Sequence, residues 1–83
     1  MVKPEDIREW IEHGLQGSKV EIDGDGQHFS AVIVYPGFAG KSKVQQHQMV
    51  YQALGDKMKA EIHALSMRTL TPEQWSAEHG SIM

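Results

Sequence analysis

Hydrophobic residues near the N-terminus recur at intervals of three and four positions, the spacing of one face of a helix. Pro4 is followed by two acidic residues, which suits a first helical turn because carboxylates interact favourably with the N-terminal end of the helix dipole. Gly14 and Gly17 end the pattern. We therefore predict a helix over residues 4–15. Its buried side is expected to consist of Ile7, Trp10, Ile11 and Leu15.

Three further stretches have the patterns of β-strands. In residues 19–23, apolar and charged side chains alternate, as on a strand with one buried face. Residues 29–35, FSAVIVY, are apolar at nearly every position, which predicts a strand in the interior of the sheet that ends before Pro36. The Asp-Gly-Asp-Gly segment between these two strands favours a hairpin turn. Alternation in residues 62–68 predicts a third strand.

The middle of the chain predicts a long helix followed by a short one. Ser42 is a good N-cap, and apolar side chains then recur at helical spacing until a tight turn at Gly55 and Asp56. The predicted apolar line of these helices consists of Val44, His47, Tyr51, Leu54 and Met58.

A last helix is predicted near the end of the chain. Thr71-Pro72-Glu73-Gln74 has the form of a capping box with proline at the first helical position. We expect this helix over residues 72–79, with Leu70 packed against Trp75.

The predicted order of elements is helix, strand, strand, helix, helix, strand, helix. A helix pair between two strands favours a crossover connection, so strands two and three are expected to run parallel. The sequence thus predicts one α/β (α+β) domain over residues 1–83, with a three-stranded mixed sheet packed against helices. This αββααβ order, with one added helix, is that of a class II KH domain.

Composition narrows the possible classes of function. The chain has 83 residues, 40% hydrophobic and 23% charged, as in an ordinary folded domain. It contains no cysteine, so it offers neither disulfides nor thiolate metal ligands. The first residues lack the apolar segment of a signal peptide, and no apolar run has the length that spans a bilayer. We expect a cytoplasmic protein without membrane contact, and the formal charge of −3 counts against a nucleic-acid partner.

The segment PGFAGKS, residues 36–42, is similar to two motifs that bind phosphate groups. A P-loop requires a glycine five positions before Gly40, and that residue is Tyr35. The Gly-x-x-Gly clamp of a KH domain lies between two consecutive helices, whereas residues 37–40 lie between a predicted strand and the long helix. We therefore expect a structural loop in which the glycines shape the turn and Phe38 packs.

Four lysines could give one side of the domain a local positive charge despite the negative total. They are Lys41, Lys43, Lys57 and Lys59. Such a cluster is often only a solvated face. DNA binding through these lysines and the KH-like helix pair is therefore kept as the alternative function and not as the main one. Catalysis is not expected, because the serines lie outside any nucleophile elbow and the carboxylates are scattered.

The five histidines fall into three groups. His13 and His79 lie near the C-terminal ends of predicted helices, where an imidazolium is favourable. His47 belongs to the apolar line and is expected to be partly buried and hydrogen-bonded. His28 and His63 lie near the starts of strands two and three, at one end of the sheet if these strands are parallel. Their imidazoles could bind one metal centre that a partner completes, or they could be ordinary polar residues.

Several spaced motifs resemble the BolA family, closest to its short bacterial branch, and the resemblance covers essentially the whole chain. They are HF at 28–29, GFAGKSKVQQHQMVYQAL at 37–54 and IHALSMRTLTPEQW at 62–75. The central family pattern is matched by Phe38, Gly40, Ser42, His47, Val50 and Tyr51. Gln46 stands where most members have arginine; if that arginine serves a basic surface, the surface is weakened here.

The resemblance implies a KH-like fold and a non-enzymatic adaptor that acts with a monothiol glutaredoxin. In such complexes the two proteins share a [2Fe-2S] cluster, for which the glutaredoxin supplies its own thiolate and that of glutathione. The BolA side supplies a histidine at the start of the third strand, here His63, and a Cys or His from the loop between the first two strands, here His28. Two imidazoles on one iron would be Rieske-like. The resemblance also implies roles in iron homeostasis and stress response, and a monomer or weak homodimer without cofactor when the protein is free.

Overall fold

A computed structural model describes residues 2–25, 27–60, 62 and 64–79, with the side chains of Lys59 and Ala60 excepted. The elements in chain order are α1 (Pro4–Gly14), β1 (Lys19–Gly24), β2 (His28–Val34), a 3₁₀ turn (Pro36–Phe38), α2 (Lys43–Leu54), α3 (Lys57–Ala60), β3 (Ala64–Leu70) and α4 (Pro72–His79). The predicted order of elements is confirmed, with the 3₁₀ turn added after the second strand. Among the described residues, no helix combines the length and apolar character needed to cross a bilayer.

The sheet is mixed and has the order β1-β2-β3. β2 pairs antiparallel with β1 and parallel with β3. The parallel pairs extend from His28 with Ala64 to Val34 with Leu70. The predicted interior position of the second strand and the parallel run of strands two and three are both confirmed.

Strand three lies two residues later than predicted, at Ala64–Leu70 and not at 62–68. Every residue of the seven-residue strand β2 has a partner on β3, so the ladder continues until Val34 meets Leu70. Alternating side chains reveal that a strand exists, whereas pairing with its neighbour decides where it ends. The first helix ends one residue earlier than predicted, at Gly14, and the second strand begins one residue earlier, at His28.

The hydrophobic core lies between helices α1 and α2 and one face of the sheet, here called the inner face. Alternate residues of β2 point into it, with Phe29, Ala31 and Ile33 all buried. The other members of the core are Ile7, Ile11, Leu15, Val20, Phe38, Val50, Leu54 and Ile62. Helix α4 lies on the opposite face, here called the outer face, beside the last residues of β3.

Helix α2 is turned away from the orientation that its apolar line predicts. Its buried residues are Gln46, Val50 and Leu54, whereas Val44 is 67% and Tyr51 43% exposed. The predicted apolar line is therefore not the buried side of this helix, since its members Val44 and Tyr51 are exposed. Gln46 is buried because its amide finds hydrogen-bond partners inside the domain, and this rotates Val44 to the solvent side of the helix.

Candidate functional site

The N-terminal ends of β2 and β3 meet at one end of the sheet. His28 is the first residue of β2 and pairs with Ala64, the first residue of β3. His63 precedes Ala64 in the sequence and lies outside the described residues. The parallel run therefore brings His28 beside the strand start that follows His63 in the chain, while the ligand role of both histidines stays a prediction.

The turn between β1 and β2 holds the backbone of His28 through one carboxylate. Asp25 Oδ1 accepts hydrogen bonds from the backbone N–H groups of Gln27 at 3.0 Å and His28 at 2.9 Å. In return, the backbone N–H of Asp25 donates to the carbonyl oxygen of His28 at 3.2 Å. The N–H groups of His28 and Gln27 hold the pKa of the Asp25 carboxyl below its usual value, because they stabilise the charged form. The first residue of β2 is thereby fixed in place.

The side chain of His28 is accessible to another protein. His28 is exposed, and it lies on the outer face because the next residue along the strand, Phe29, points into the core. Ser30 and Ser66, which pair with each other one step further along, are exposed on the same face. An exposed neutral imidazole is a suitable ligand for iron, so the chemistry of this side chain fits the edge of a cluster.

No complete metal site is formed by this chain within the part that the structure describes. Among those residues, no three side chains of His, Cys, Asp or Glu come together as metal ligands. The sequence also supplies no thiolate. Ligands in addition to His28 would have to come from His63 and from a partner.

The PGFAGKS loop is structural. Phe38 is fully buried, and its ring meets that of Tyr35 edge to face with 5.2 Å between centroids. Gly40 has a φ of 77°, a conformation that residues with a side chain rarely adopt. Gly37 approaches the Tyr35 ring so closely that an added Cβ would lie 2.4 Å from it. The glycines thus shape the turn and Phe38 packs, as predicted.

Ser42 begins α2 with a full capping box. Its Oγ accepts a hydrogen bond from the backbone N–H of Gln45 at 3.2 Å, and Gln45 Oε1 accepts one from the backbone N–H of Ser42 at 2.9 Å. At the start of α4, Thr71 Oγ1 accepts from the backbone N–H of Gln74 at 3.2 Å, and Gln74 Oε1 accepts from the backbone N–H of Thr71 at 2.9 Å. Both predicted N-caps are confirmed.

Gln46 ties this loop to the end of β3. Its Nε2 donates to the carbonyl oxygens of Phe38 at 3.2 Å and Lys41 at 2.9 Å, and its Oε1 accepts from Thr69 Oγ1 at 2.6 Å. Gln46 is 3% and Thr69 1% exposed, so the contact between these two side chains excludes water, whereas the contact with Lys41 is only partly buried. Gln46 therefore lies inside the domain and adds nothing to its surface. Its spacing of four and eight residues from the buried Val50 and Leu54 was the signal that could have revealed it.

The lysines of the predicted positive patch are spread along α2. Lys43 Nζ donates to the carbonyl oxygen of Thr69 at the start of the helix. Lys57 lies beyond its end, with Nζ 5.1 Å from the centre of the Trp10 ring. The helix that lies between these two lysines in the chain has 12 residues and a length of about 18 Å. Lys41 is exposed, and the side chain of Lys59 lies outside the description.

The other three histidines lie on helices α1, α2 and α4. His13 is exposed near the end of α1, as predicted. His79 stacks on Trp75 with 4.3 Å between ring centroids, and its Nδ1 lies 2.9 Å from the carbonyl oxygen of Trp75. His47 is half-buried on α2, as predicted, but no hydrogen bond to its ring occurs among the described residues.

An ion pair that the sequence did not reveal fastens α4 to the outer face. Arg68 Nη1 and Nη2 donate to Glu78 Oε1 and Oε2 at 3.2 and 2.7 Å. The hydrogen bonds from Arg68 hold the pKa of the Glu78 carboxyl below its usual value. The pair is exposed, so its contribution to stability is small, but it keeps α4 at the C-terminal end of β3. Within the described part of the chain, nothing covers the outer face around Ser30 and Ser66, which are exposed.

Several proteins have sequences that are similar to this chain over most of its length. The family model for BolA-like protein matches residues 10–74. The DNA-binding transcriptional regulator BolA of Haemophilus influenzae is 41% identical over 59 residues, which are 71% of this chain and 57% of that protein; the chain thus spans little more than half of this relative. The acid stress protein IbaG of Escherichia coli is 32% identical over 74 residues, 88% of each chain.

The fold agrees with the same assignment. The structure of a BolA protein homologue from Coxiella burnetii superimposes with a TM-score of 0.86 and 47% identity, over 92% of this chain and 99% of that one. Family motifs, element order and superposition therefore coincide. The chain belongs to the BolA family.

Proposed function

We propose that this protein binds a monothiol glutaredoxin and shares with it a [2Fe-2S] cluster that the pair stores or transfers. Membership of the BolA family supports this partner. The observation that carries the proposal is the pairing of His28 with Ala64, which puts an exposed imidazole beside the strand start that follows His63. A role in the response to stress is supported by the name of the acid stress relative, and a role in iron homeostasis would follow from the shared cluster.

Each residue of the site has a distinct task in this proposal. His63 and His28 would hold iron, each through a ring nitrogen of the neutral imidazole. The carboxylate of Asp25 accepts hydrogen bonds from the backbone N–H groups of Gln27 and His28, and so keeps the backbone of His28 in place. The glutaredoxin and glutathione supply the thiolates that this chain lacks. When bound, the cluster supplies one-electron chemistry at a potential that histidine ligation raises.

The open half of the outer face gives the partner room to approach. Ser30 and Ser66 are small and exposed beside His28, and α4 covers only the opposite end of this face. A second protein can therefore reach the strand starts without displacing an element of the fold.

Mixing the protein with a cluster-bearing monothiol glutaredoxin and glutathione tests the proposal. We expect a change in visible absorption and circular dichroism, and elution of a one-to-one complex in size-exclusion chromatography. His63→Ala is expected to abolish the spectral change. His13→Ala is the control, because His13 is exposed near the end of α1. Separate elution of the wild-type proteins with an unchanged spectrum would contradict the proposal.

DNA binding is a second candidate function. It is favoured by the name of the Haemophilus influenzae relative and by the exposed Lys41 ahead of α2. It is weakened by the engagement of Lys43 and Lys57 at opposite ends of that helix. A gel-shift titration at low and high salt separates the two functions. We expect no shift at low salt, whereas a shift that weakens steeply with added salt would favour DNA binding, because counterion release drives such contacts.

A further inference from the structure

Beyond Lys43, the first residue of the helix, the solvent side of α2 has two large apolar side chains and no charge. Val44 and Tyr51 are 67% and 43% exposed, and they lie seven residues apart, close to two helical turns. Lys, Arg, Asp and Glu are all absent from residues 44–55. The exposed residues of this side, here called the α2 face, are Val44, Gln45, Gln48, Tyr51 and Gln52.

This composition is typical of a protein interface. Helices that only face water usually present charged side chains, whereas the centres of protein interfaces are depleted of charge and enriched in tyrosine. The contacts of α2 with its own domain are made by the other side of the helix, through Gln46, Val50 and Leu54. A nucleic acid requires cations at the contact, and the α2 face has none. The face therefore fits a protein surface.

We propose that the α2 face joins two copies of this protein, with the two α2 helices antiparallel around a twofold axis. In this arrangement the face is complementary to itself. If the axis passes between residues 47 and 48, Val44 of one copy meets Tyr51 of the other, and symmetry repeats the contact. Gln48 lies next to the axis, and its amide both donates and accepts, so it can pair with its own copy.

Charges at the two ends of α2 favour the antiparallel direction. Lys41 precedes the helix, Asp56 follows it, and both are exposed. Antiparallel packing brings Lys41 of one copy towards Asp56 of the other and opposes the two helix dipoles. Parallel packing would place like charges together at both ends.

The proposed dimer is weak and leaves the sheet accessible. One face of a three-turn helix buries less than the roughly 800 Å² per partner of a standard interface, so we expect a dissociation constant of about 0.1–1 mM. The α2 face points away from the inner face of the sheet, whereas His28 lies on the outer face. The dimer therefore does not depend on cluster binding and does not obstruct it.

Sedimentation equilibrium of the free protein tests the dimer. We expect the average mass to rise above the monomer value of 9.3 kDa as the concentration approaches about 1 mM. Val44→Lys and Tyr51→Lys are each expected to weaken association about tenfold, because they place an unpaired charge at the centre of the interface. Ser30→Lys, on the outer face, is the matched control. A constant mass of 9.3 kDa, or association of Val44→Lys as strong as wild type, would overturn the proposal.

Two designed sets of variants test the direction of packing. Lys41→Glu and Asp56→Lys should each weaken association, and the double variant should restore it, since the opposite charges then meet again. Gln48→Cys should form a disulfide dimer faster than Gln27→Cys in the β1–β2 turn, and the chain has no other cysteine that could interfere. No restoration by the double variant, or equal rates for the two cysteine variants, would contradict the antiparallel twofold arrangement.

Discussion

Replacement of Phe38 by alanine is expected to lower the free energy of unfolding by about 3–5 kcal/mol, because it leaves a cavity in the core. Phe38 is the largest of the fully buried side chains, and it also loses its edge-to-face contact with Tyr35. A domain of this size has a total stability of only about 4–12 kcal/mol. We therefore expect a partly unfolded variant at physiological temperature. Urea unfolding followed by far-UV circular dichroism measures the loss.

Phe38→Leu is the matched control for this experiment. Leucine keeps most of the buried volume, so we expect a loss of only about 1–2 kcal/mol. If Phe38→Ala unfolds at the same urea concentration as Phe38→Leu or as wild type, the PGFAGKS loop is not anchored by this ring.

The Gln46→Leu variant is expected to be less stable by about 2–4 kcal/mol, since buried polar groups lose their partners. Without the amide, Thr69 Oγ1 and the carbonyl oxygen of Lys41 lose their hydrogen-bond partner, and the carbonyl oxygen of Phe38 keeps only the backbone N–H of Lys41, at 3.1 Å. Gln52→Leu changes the same side chain at an exposed position of the same helix. For that control we expect a change within about 0.5 kcal/mol. Chemical denaturation of both variants provides the comparison.

A double-mutant cycle with Thr69→Val isolates the contact at the centre of this network. Thr69 Oγ1 lies 2.6 Å from Gln46 Oε1, so each single replacement leaves the other group unpaired. The two losses should therefore add up to more than the loss in the double variant. Strict additivity would show that the side chains do not stabilise each other.

Local chemistry made most of the fold predictable. The capping boxes at Ser42 and Thr71 fixed the starts of two helices, because the side chains that satisfy the first N–H groups are adjacent in sequence. The apolar run of the second strand indicated its central place, since a strand with neighbours on both sides and helices against it is largely buried. The ends of β3 were not predictable in this way, because they depend on pairing with a distant strand.

The buried side of α2 was mispredicted because the prediction was based only on the hydrophobicity of the side chains. Gln46 is buried because the loop before the helix supplies hydrogen-bond acceptors and β3 supplies a donor. The spacing of hydrophobic residues along the helix does not reveal these partners. Once this amide is inside, Val44 and Tyr51 must lie outside. The same misprediction led to the α2 face, where exposed apolar residues have no role in the monomer.

The candidate site was predictable in position more than in function. Parallel strands two and three place His28 beside the residue that follows His63 in the sequence. The hydrogen bonds of Asp25 that fix the start of β2 depend on the conformation of the turn, which the Asp-Gly pattern indicated only in outline. Ligation of iron by these histidines rests on the family resemblance, since an exposed imidazole alone does not specify a metal.

Ligation of the cluster by this chain can be tested by observing histidine nitrogen on the iron. The protein, labelled with ¹⁵N-histidine, is mixed with an unlabelled cluster-bearing glutaredoxin, reduced, and studied by pulsed electron paramagnetic resonance. We expect ¹⁵N hyperfine couplings from this chain that disappear in His63→Ala, change in His28→Ala and persist in His13→Ala. A reduced complex without ¹⁵N coupling, or with the same coupling in all three variants, would contradict it.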